Sequence, residues 1–316
     1  MDRNRIVVEK ENCTLCGRCV NWCARDAITI EEHLIIDRDR CIFCGECMRV
    51  CSEDVIKVKE ARSNKKIYED FAEVYSSGKY PEFSKAMADI ILELLEGFDV
   101  EGKNLLDIAC GEGTFAVKMA EKGYDVVGID LSPKQIEIAK KKDADEEIDF
   151  KVQDMRELSF QERFDVVTCW YDSLNYIIDK KDLRQVFKSV YNSLRNGGIF
   201  VFDMNTIYVM EEVWDEQTMV KEDSRKIFDV IEQNYDEEKH ITSIKLTSFL
   251  REDDGKWRKI EEVHRERGYS FDELRDIFED VGFDELGCWK DIEEKTEADE
   301  ETERVWFVLG KDGEQL

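Results

Sequence analysis

Two runs of cysteine constrain this chain more than any other feature. Cys13, Cys16, Cys19 and Cys23 follow the spacing C-x2-C-x2-C-x3-C, and Cys41, Cys44, Cys47 and Cys51 repeat it. Three thiolates at two-residue intervals wrap a tight loop around one iron–sulfur cluster, and the fourth cysteine of such a run serves the other cluster. The spacing therefore predicts one 4Fe–4S cluster on Cys13, Cys16, Cys19 and Cys51, and a second on Cys41, Cys44, Cys47 and Cys23. Structural zinc wants two ligand pairs with a longer spacer, not three cysteines in seven residues. Disulfides need an oxidising compartment. A C-x3-C-x2-C cluster of the radical type fails, because its third ligand would fall on Asp26 or Asp54.

The segment also repeats itself outside the cysteines. Cys23-Ala-Arg-Asp-Ala-Ile-Thr-Ile matches Cys51-Ser-Glu-Asp-Val-Ile-Lys-Val, a helical turn followed by a short strand. Over residues 5–60 it resembles the bacterial-type two-cluster ferredoxins, which implies a small α+β domain over 1–60 and electron transfer, with a redox partner protein as a possible consequence. One departure is the proline that usually follows the fourth cysteine, which is Ala24 and Ser52 here. Both carry a backbone N–H that proline lacks, so hydrogen bonding near the sulfurs differs.

The rest of the chain is a different kind of sequence. At 316 residues there is room for about two domains, and only Cys110, Cys169 and Cys288 fall beyond the first 51 residues. Of the net charge of −28, residues 1–60 hold −2 and the remainder −26, concentrated in Glu211–His240 and Asp291–Glu303. That acidity reads as a solvated face and a mobile loop. It argues against nucleic acid and against an anionic membrane surface, both of which recruit basic patches. The most apolar stretches, Leu105–Cys110 and Val166–Tyr171, are far short of the ~18–20 residues of a spanning helix. The opening Met1-Asp2-Arg3-Asn4-Arg5 lacks the apolar core of an export signal, so a cytoplasmic location is expected.

Residues 61–100 read as helical, with Ile67, Phe71, Val74 and Tyr75 on one face and Phe83, Met87, Ile90, Ile91, Leu94 and Leu95 on another. The linker Glu60–Lys66 is short and polar. From Asn104 onward apolar strands (104–110, 125–130, 148–154, 164–170, 198–205) alternate with amphipathic helices (114–122, 133–142, 182–194). Such alternation predicts a doubly wound α/β fold with a largely parallel sheet, which binds ligands beyond the carboxyl ends of its strands.

The first strand-to-helix turn runs Asp107-Ile-Ala-Cys-Gly111-Glu-Gly113-Thr-Phe-Ala116. Gly111-x-Gly113-x-x-Ala116, with Asp130 ending the next strand, satisfies the loose dinucleotide fingerprint, so NAD enters as an alternative. Asp107 argues against it. A dinucleotide turn keeps that position apolar, whereas the ammonium of an amino-acid group needs a nearby acid. Across about residues 67–310 these motifs resemble the class I S-adenosylmethionine-dependent methyltransferases. The resemblance implies that Asp107, Ala109, Gly111 and Gly113 contact the methionine end of the cofactor and that Asp130, followed by Leu131, accepts the ribose hydroxyls. It implies further that Asp154 and Met155 meet the adenine, and that Tyr68 and Tyr75 cover the cofactor. The stretch Phe164–Tyr176, ending Asp-Ser-Leu-Asn-Tyr, resembles the fourth motif of small-molecule methyltransferases. Ser270-Phe-Asp-Glu273 is a capping box that opens a helix ending at Gly282, with strands expected at 283–289 and 304–309.

Methyl transfer from a sulfonium needs alignment, and a base where the nucleophile must lose a proton. Tyr171, Asp172, Asn175 and Tyr176, after the fourth strand, are the candidates, with His264 as the one histidine near a plausible site. Each tyrosine also has a plain reading as a packed aromatic, and His264 as a packed or surface histidine. Cys110 and Cys169 read as small residues in tight packing. Residues 206–268 form an insertion: a hairpin over Ile241–Leu250 and Trp257–His264 with a further strand over Lys226–Asn234 would make a β-rich lid. The expected fold is thus a Rossmann-like class I methyltransferase sheet over 61–316 with this lid, preceded by the ferredoxin-like domain. The expected function is methylation of a small-molecule acceptor with S-adenosylmethionine, joined to two 4Fe–4S clusters. The alternative is an electron-transfer protein whose larger domain senses S-adenosylmethionine or docks a partner.

Overall fold

The computed structural model describes residues 6–8, 12–37, 40–41, 46–53, 55–58, 67–98, 100, 102–215 and 217–311. Cys44, Asp54 and the linker 60–66 lie outside the described residues. The chain divides into two units, Met1–Lys65 and Lys66–Leu316.

The smaller unit carries two antiparallel pairs and two single-turn helices. β1 (Ile6–Val8) pairs with β4 (Ile56–Val58), and β2 (Ile28–Ile30) with β3 (Leu34–Ile36). α1 (Arg18–Asn21) carries Cys19 and α2 (Glu46–Arg49) carries Cys47. With so few apolar residues the core is partly made of sulfur: Cys19 and Cys47 are buried with Ile28, Leu34, Val55 and Ile56.

The larger unit opens with α3 (Ala72–Ser77) and α4 (Pro81–Gly97). Of the helix expected over 61–100, residues 61–66 lie outside the described residues; from residue 67 onward helix begins only at Ala72, because Tyr68 sits in the left-handed region at φ 60° and cannot continue a helix. There follow β5 (Asn104–Ile108), α5 (Thr114–Glu121), β6 (Asp125–Asp130), α6 (Pro133–Lys142), β7 (Asp149–Val152), β8 (Phe164–Cys169), α7 (Lys180–Ser193) and β9 (Leu194–Asn205). Four strands come next: β10 (Thr218–Asp223), β11 (Ile227–Asp236), β12 (Ile241–Arg251) and β13 (Trp257–Arg267). The chain closes with α8 (Phe271–Val281), β14 (Phe283–Asp291), β15 (Thr296–Glu297) and β16 (Arg304–Lys311).

The main sheet has the order β15-β14-β16-β9-β8-β5-β6-β7. β9, β8, β5, β6 and β7 run parallel, and β16 enters antiparallel between β9 and β14. Strand order reverses beside β5, so a crevice opens beyond the carboxyl ends of β5 and β8. Period-two alternation along β9 supplies both faces: Phe200, Phe202 and Met204 pack with Phe187 and Phe278 of α7 and α8, while Ile199 and Val201 join the layer of Ile91, Leu95, Phe115 and Met119 from α4 and α5. Gly113 takes φ 83°, and a Cβ there would lie 2.8 Å from the Ala139 Cβ and 2.9 Å from Phe150. Replacing Gly113 by alanine should therefore destabilise the larger unit by roughly 2–4 kcal/mol through overpacking and strain, read as a lower unfolding temperature.

Strands β10 to β13 form a second, wholly antiparallel sheet in chain order. The expected hairpin and its neighbour are present, and β10 is a fourth strand absent from the sequence reading. It is an edge strand with five of its six residues exposed, so it carries no alternation to read. The sheet lays Ile227, Ile244, Leu246 and Ile260 against Phe71, Val74, Tyr75 and Tyr80.

Candidate functional site

At the carboxyl end of β5, Asp107 is 2% exposed inside an apolar strand. Thr168 Oγ1 donates to its Oδ1 at 3.0 Å, while Oδ2 is buried with no hydrogen-bond partner among the described residues. Burial, opposed by Thr168 and aided by the charge of Asp130, pushes this carboxyl up to about 8. Asp130, ending β6, accepts Gly111 N–H at 2.9 Å and Ser132 N–H at 2.8 Å, tying the glycine turn to the start of α6. Ala109 (φ 55°) and Gly111 (φ 54°) both take left-handed backbone in that turn. An alanine held there is strained, and such strain concentrates at ligand sites.

Tyr68 is clamped from two sides. Its N–H donates to Glu262 Oε2 at 2.8 Å, and its carbonyl accepts Ser132 Oγ–H at 3.0 Å. From its hydroxyl a chain of contacts runs inward: Tyr68 Oη to Tyr176 Oη at 2.9 Å, Tyr176 Oη to His264 Nδ1 at 2.9 Å, and His264 Nε2 to Glu262 Oε2 at 3.0 Å. Glu262 also accepts the Asp70 and Phe71 N–H groups. Burial works against its charge, yet bonds from His264 and the backbone hold its carboxyl below the usual range. Both ring nitrogens of His264 are thereby engaged.

Two cavities meet at this aromatic pair. The first, about 280 Å3, is walled by Tyr68, Ala109, Asp130, Leu131, Asp154 and Met155 among others, with Tyr176 at one side. These six are sequence candidates for the cofactor. Asp107, Gly111, Gly113 and Tyr75 are not on that wall: Gly113 serves packing, and the Tyr75 ring approaches Gly111, 4.0 Å from where its Cβ would stand. Asp154 is less free than the sequence implied, since Arg156 engages both its oxygens and also pairs with Asp182 at 2.5 Å. The Arg156 contacts, foremost among them, hold Asp154 below the usual carboxylate range.

The second cavity, about 260 Å3, is lined by Tyr68, Tyr171, Asp172, Tyr176, His264, Glu266 and Arg304, with Phe71, Tyr80 and Trp214. Tyr171 (φ 58°) and Asp172 (φ 53°) hold a left-handed corner because Asp203 accepts both of their N–H groups, at 2.6 and 3.0 Å. Arg304 from β16 pairs with Asp172 at 2.8 Å and with Asp203, and lies 5.5 Å from the Tyr171 ring centre. Asn175, a sequence candidate for chemistry, is fully buried: Nδ2 donates to the Asn205 and Arg267 carbonyls and Oδ1 accepts Asn205 N–H. Its amide is spent on backbone. Burial, foremost, pushes the Cys110 and Cys169 thiols well up, which suits packing and not nucleophilic chemistry. Glu266, Arg304, Asp203 and Glu262 escaped the sequence reading, since they come from distant strands with no local spacing to join them.

In the smaller unit one cavity is lined by Cys13, Cys16, Cys19 and Cys51, the quartet expected from the crossed ligation, with Gly17, Leu34 and Val55. No three cysteine, histidine or acidic side chains converge on a single-ion position among the described residues. Thiols that ring a cavity suit a cluster, whose ligands attach at separate corners. Of the second quartet, Cys23, Cys41 and Cys47 fall in the same core, and Ala27 N–H donates to Cys23 Sγ at 3.3 Å.

Comparison with known proteins agrees with this anatomy. A family model described as a methyltransferase domain matches residues 105–198, and one described as a 4Fe–4S dicluster domain matches 12–55. A Geobacillus sp. (strain WCH70) protein named as a methyltransferase is 32% identical over 248 residues, 77% of this chain and 99% of that protein. A Bacillus subtilis (strain 168) protein, also named as a methyltransferase, is 32% identical over 78% of this chain and 97% of its own length. A solved S-adenosylmethionine-dependent methyltransferase from Clostridium acetobutylicum superposes with a TM-score of 0.69 at 26% identity, covering 78% of this chain and all of that one. S-adenosylmethionine-bound CalS10, an amino pentose methyltransferase from Micromonospora echinaspora, shares the fold (TM-score 0.59, 18% identity, 78% of this chain and 97% of that one). No helix among the described residues is long and apolar enough to cross a membrane. The chain belongs to the class I methyltransferase family and carries a 4Fe–4S dicluster domain at its N-terminal end.

Proposed function

We propose that the chain methylates a small-molecule acceptor with S-adenosylmethionine, in the cytoplasm, and that residues 1–60 hold two 4Fe–4S clusters that couple or regulate this reaction by redox state. The observation that carries the reading is the meeting of two cavities at Tyr68 and Tyr176, one walled by the cofactor candidates and the other by Tyr171, Asp172 and Glu266. When bound, S-adenosylmethionine supplies an activated methyl group, whose carbon–sulfur pair returns to sulfur as the acceptor's lone pair forms the new bond.

The chain's own residues place the partners and exclude water. Asp107 would face the ammonium of the methionine end, and its unpartnered Oδ2 is the feature that fits this group. Asp130, with Leu131 beside it, would take the ribose hydroxyls while holding Gly111. Ala109 and Gly111 would bring backbone close to the cofactor, with Gly113 supporting the turn. Asp154 and Met155 would meet the adenine, Tyr68 and Tyr75 would cover the assembly, and the lid over 206–268 would close the acceptor side. Tyr171 and Asp172 would touch the acceptor. Asn175 and His264 act through others, as positioning residues: one fixes the β9 and β13 backbone and the other holds Tyr176.

Calorimetric titration of the anaerobically reconstituted chain with S-adenosylhomocysteine tests the cofactor half. Asp130→Ala should weaken binding about 100-fold, the worth of two hydrogen bonds to a charged acceptor. Methyl-labelled S-adenosylmethionine incubated with a small-molecule extract should then label a non-protein product. Binding without transfer would leave the larger domain a sensor, and absence of binding would sink both readings.

A further inference from the structure

The second cavity contains a buried acid that lacks a cation. Glu266 on β13 lines it and is 2% exposed. Asn205 Nδ2 donates to its Oε2 at 3.1 Å, the Tyr176 hydroxyl is a further hydrogen-bond partner, and it makes no ion pair among the described residues. The nearby guanidinium of Arg304 is already engaged by Asp172 and Asp203, so three carboxylates share one cation. Burial first, and the charge of Asp172 second, push the Glu266 carboxyl well above the usual range. Of the other charged or titratable groups lining the cavity, Lys221 is exposed and stands over the Tyr80 ring, and His264 has both nitrogens committed. A desolvated acid short of positive charge costs stability, and among the described residues only the Asn205 and Tyr176 hydrogen bonds and the shared charge of Arg304 offset it.

Five aromatic side chains, Tyr68, Phe71, Tyr80, Tyr171 and Trp214, share the rest of the wall with Met219, Ile231, Gln233, Ile244 and Leu246. Ring faces attract cations electrostatically. An anionic acceptor would instead meet Glu266 and Asp172. We propose that the methyl acceptor is a primary or secondary amine, admitted as its ammonium ion and held by Glu266 against these rings. The inference rests on the methyltransferase reading and names its acceptor class.

Nitrogen cannot attack while protonated. As the ammonium enters, Glu266 gives its own proton to water; it then accepts the proton from nitrogen, and the freed lone pair forms the bond to the methyl carbon as the carbon–sulfur pair returns to sulfur. The product is a methylated ammonium beside a neutral Glu266, so the positive charge of the sulfonium has passed to nitrogen.

The test uses three probes of one shape on the full reconstituted chain saturated with S-adenosylhomocysteine: benzylamine, benzyl alcohol and benzoate, followed by calorimetry. Benzylamine should bind at least tenfold more tightly than benzyl alcohol, and benzoate more weakly than either. In Glu266→Gln the amine should fall to within about twofold of the alcohol, with S-adenosylhomocysteine affinity unchanged. Equal or tighter binding of the alcohol or benzoate, binding of none of the three, or a preference that survives in the glutamine variant would overturn the proposal. The wild-type comparison needs no variant, so a folding failure of Glu266→Gln leaves it decisive. Failure to bind S-adenosylhomocysteine at all would bring down the methyltransferase reading, and this inference with it.

Discussion

Replacing Asp107 by asparagine should do two opposite things: weaken S-adenosylhomocysteine binding by about 100-fold or more and raise the stability of the ligand-free protein at pH 8. The carboxyl ionises at 3.8 when free and at about 8 in the fold. Between those values the unfolded chain has given up a proton that the folded chain retains, so stability declines as pH rises. The slope is on the order of 1.4 kcal/mol per pH unit, and it levels off above about pH 8. The contribution is complete below the lower value and lost through the upper one. Asparagine keeps an acceptor for Thr168 and does not titrate, so its unfolding temperature should lack this decline. In the complex the sign reverses. An ammonium beside Asp107 supplies the missing partner for Oδ2, and leaving that cation against a neutral amide forfeits a buried pair worth about 3–5 kcal/mol. Unfolding temperatures of both proteins from pH 5 to 8.5, with calorimetry at pH 8, check both halves. A variant that binds within a few-fold of the parent would remove Asp107 from the cofactor's ammonium.

The second large effect concerns Cys51. Although it belongs to the second cysteine run, it lines a cavity with Cys13, Cys16 and Cys19 of the first. Cys51→Ser should therefore lower iron from about eight to about four per chain and spare the cluster of the other quartet. Elemental analysis with electron paramagnetic resonance after dithionite reduction reads the outcome, and Cys23→Ser should give the complementary loss. If Cys51→Ser instead removes the cluster attached to Cys41 and Cys47, the crossed ligation is wrong. S-adenosylhomocysteine affinity should not change, because every residue on the first cavity's wall belongs to the larger unit.

Much of this molecule is legible in its amino-acid sequence. Strands β5, β6, β8 and β9 were visible because parallel strands are buried on both faces and read as short continuous apolar runs. The capping box at Ser270 is present as written, with Ser270 accepting from Glu273 N–H at the start of α8. Strand β10 was not legible, being an exposed edge, nor was the start of α3, which depends on the left-handed turn at Tyr68. Among the candidate residues, Asn175 drew notice through its motif, yet its amide serves only backbone groups, a fact set by strand β9 and the end of β13.

The sequence by itself determined what depends on neighbours along the chain: the two cysteine loops, the glycine turn with its acid, and the alternation that specifies a doubly wound sheet. Spacing of a few residues dictates those, because loop and helix geometry is local. Only the tertiary structure decided the second cavity. Glu266, Arg304, Asp172 and Asp203 come together because β16 inserts antiparallel next to β9 while β13 returns over the crevice. Their charges matter through burial and mutual distance, which no stretch of sequence encodes alone.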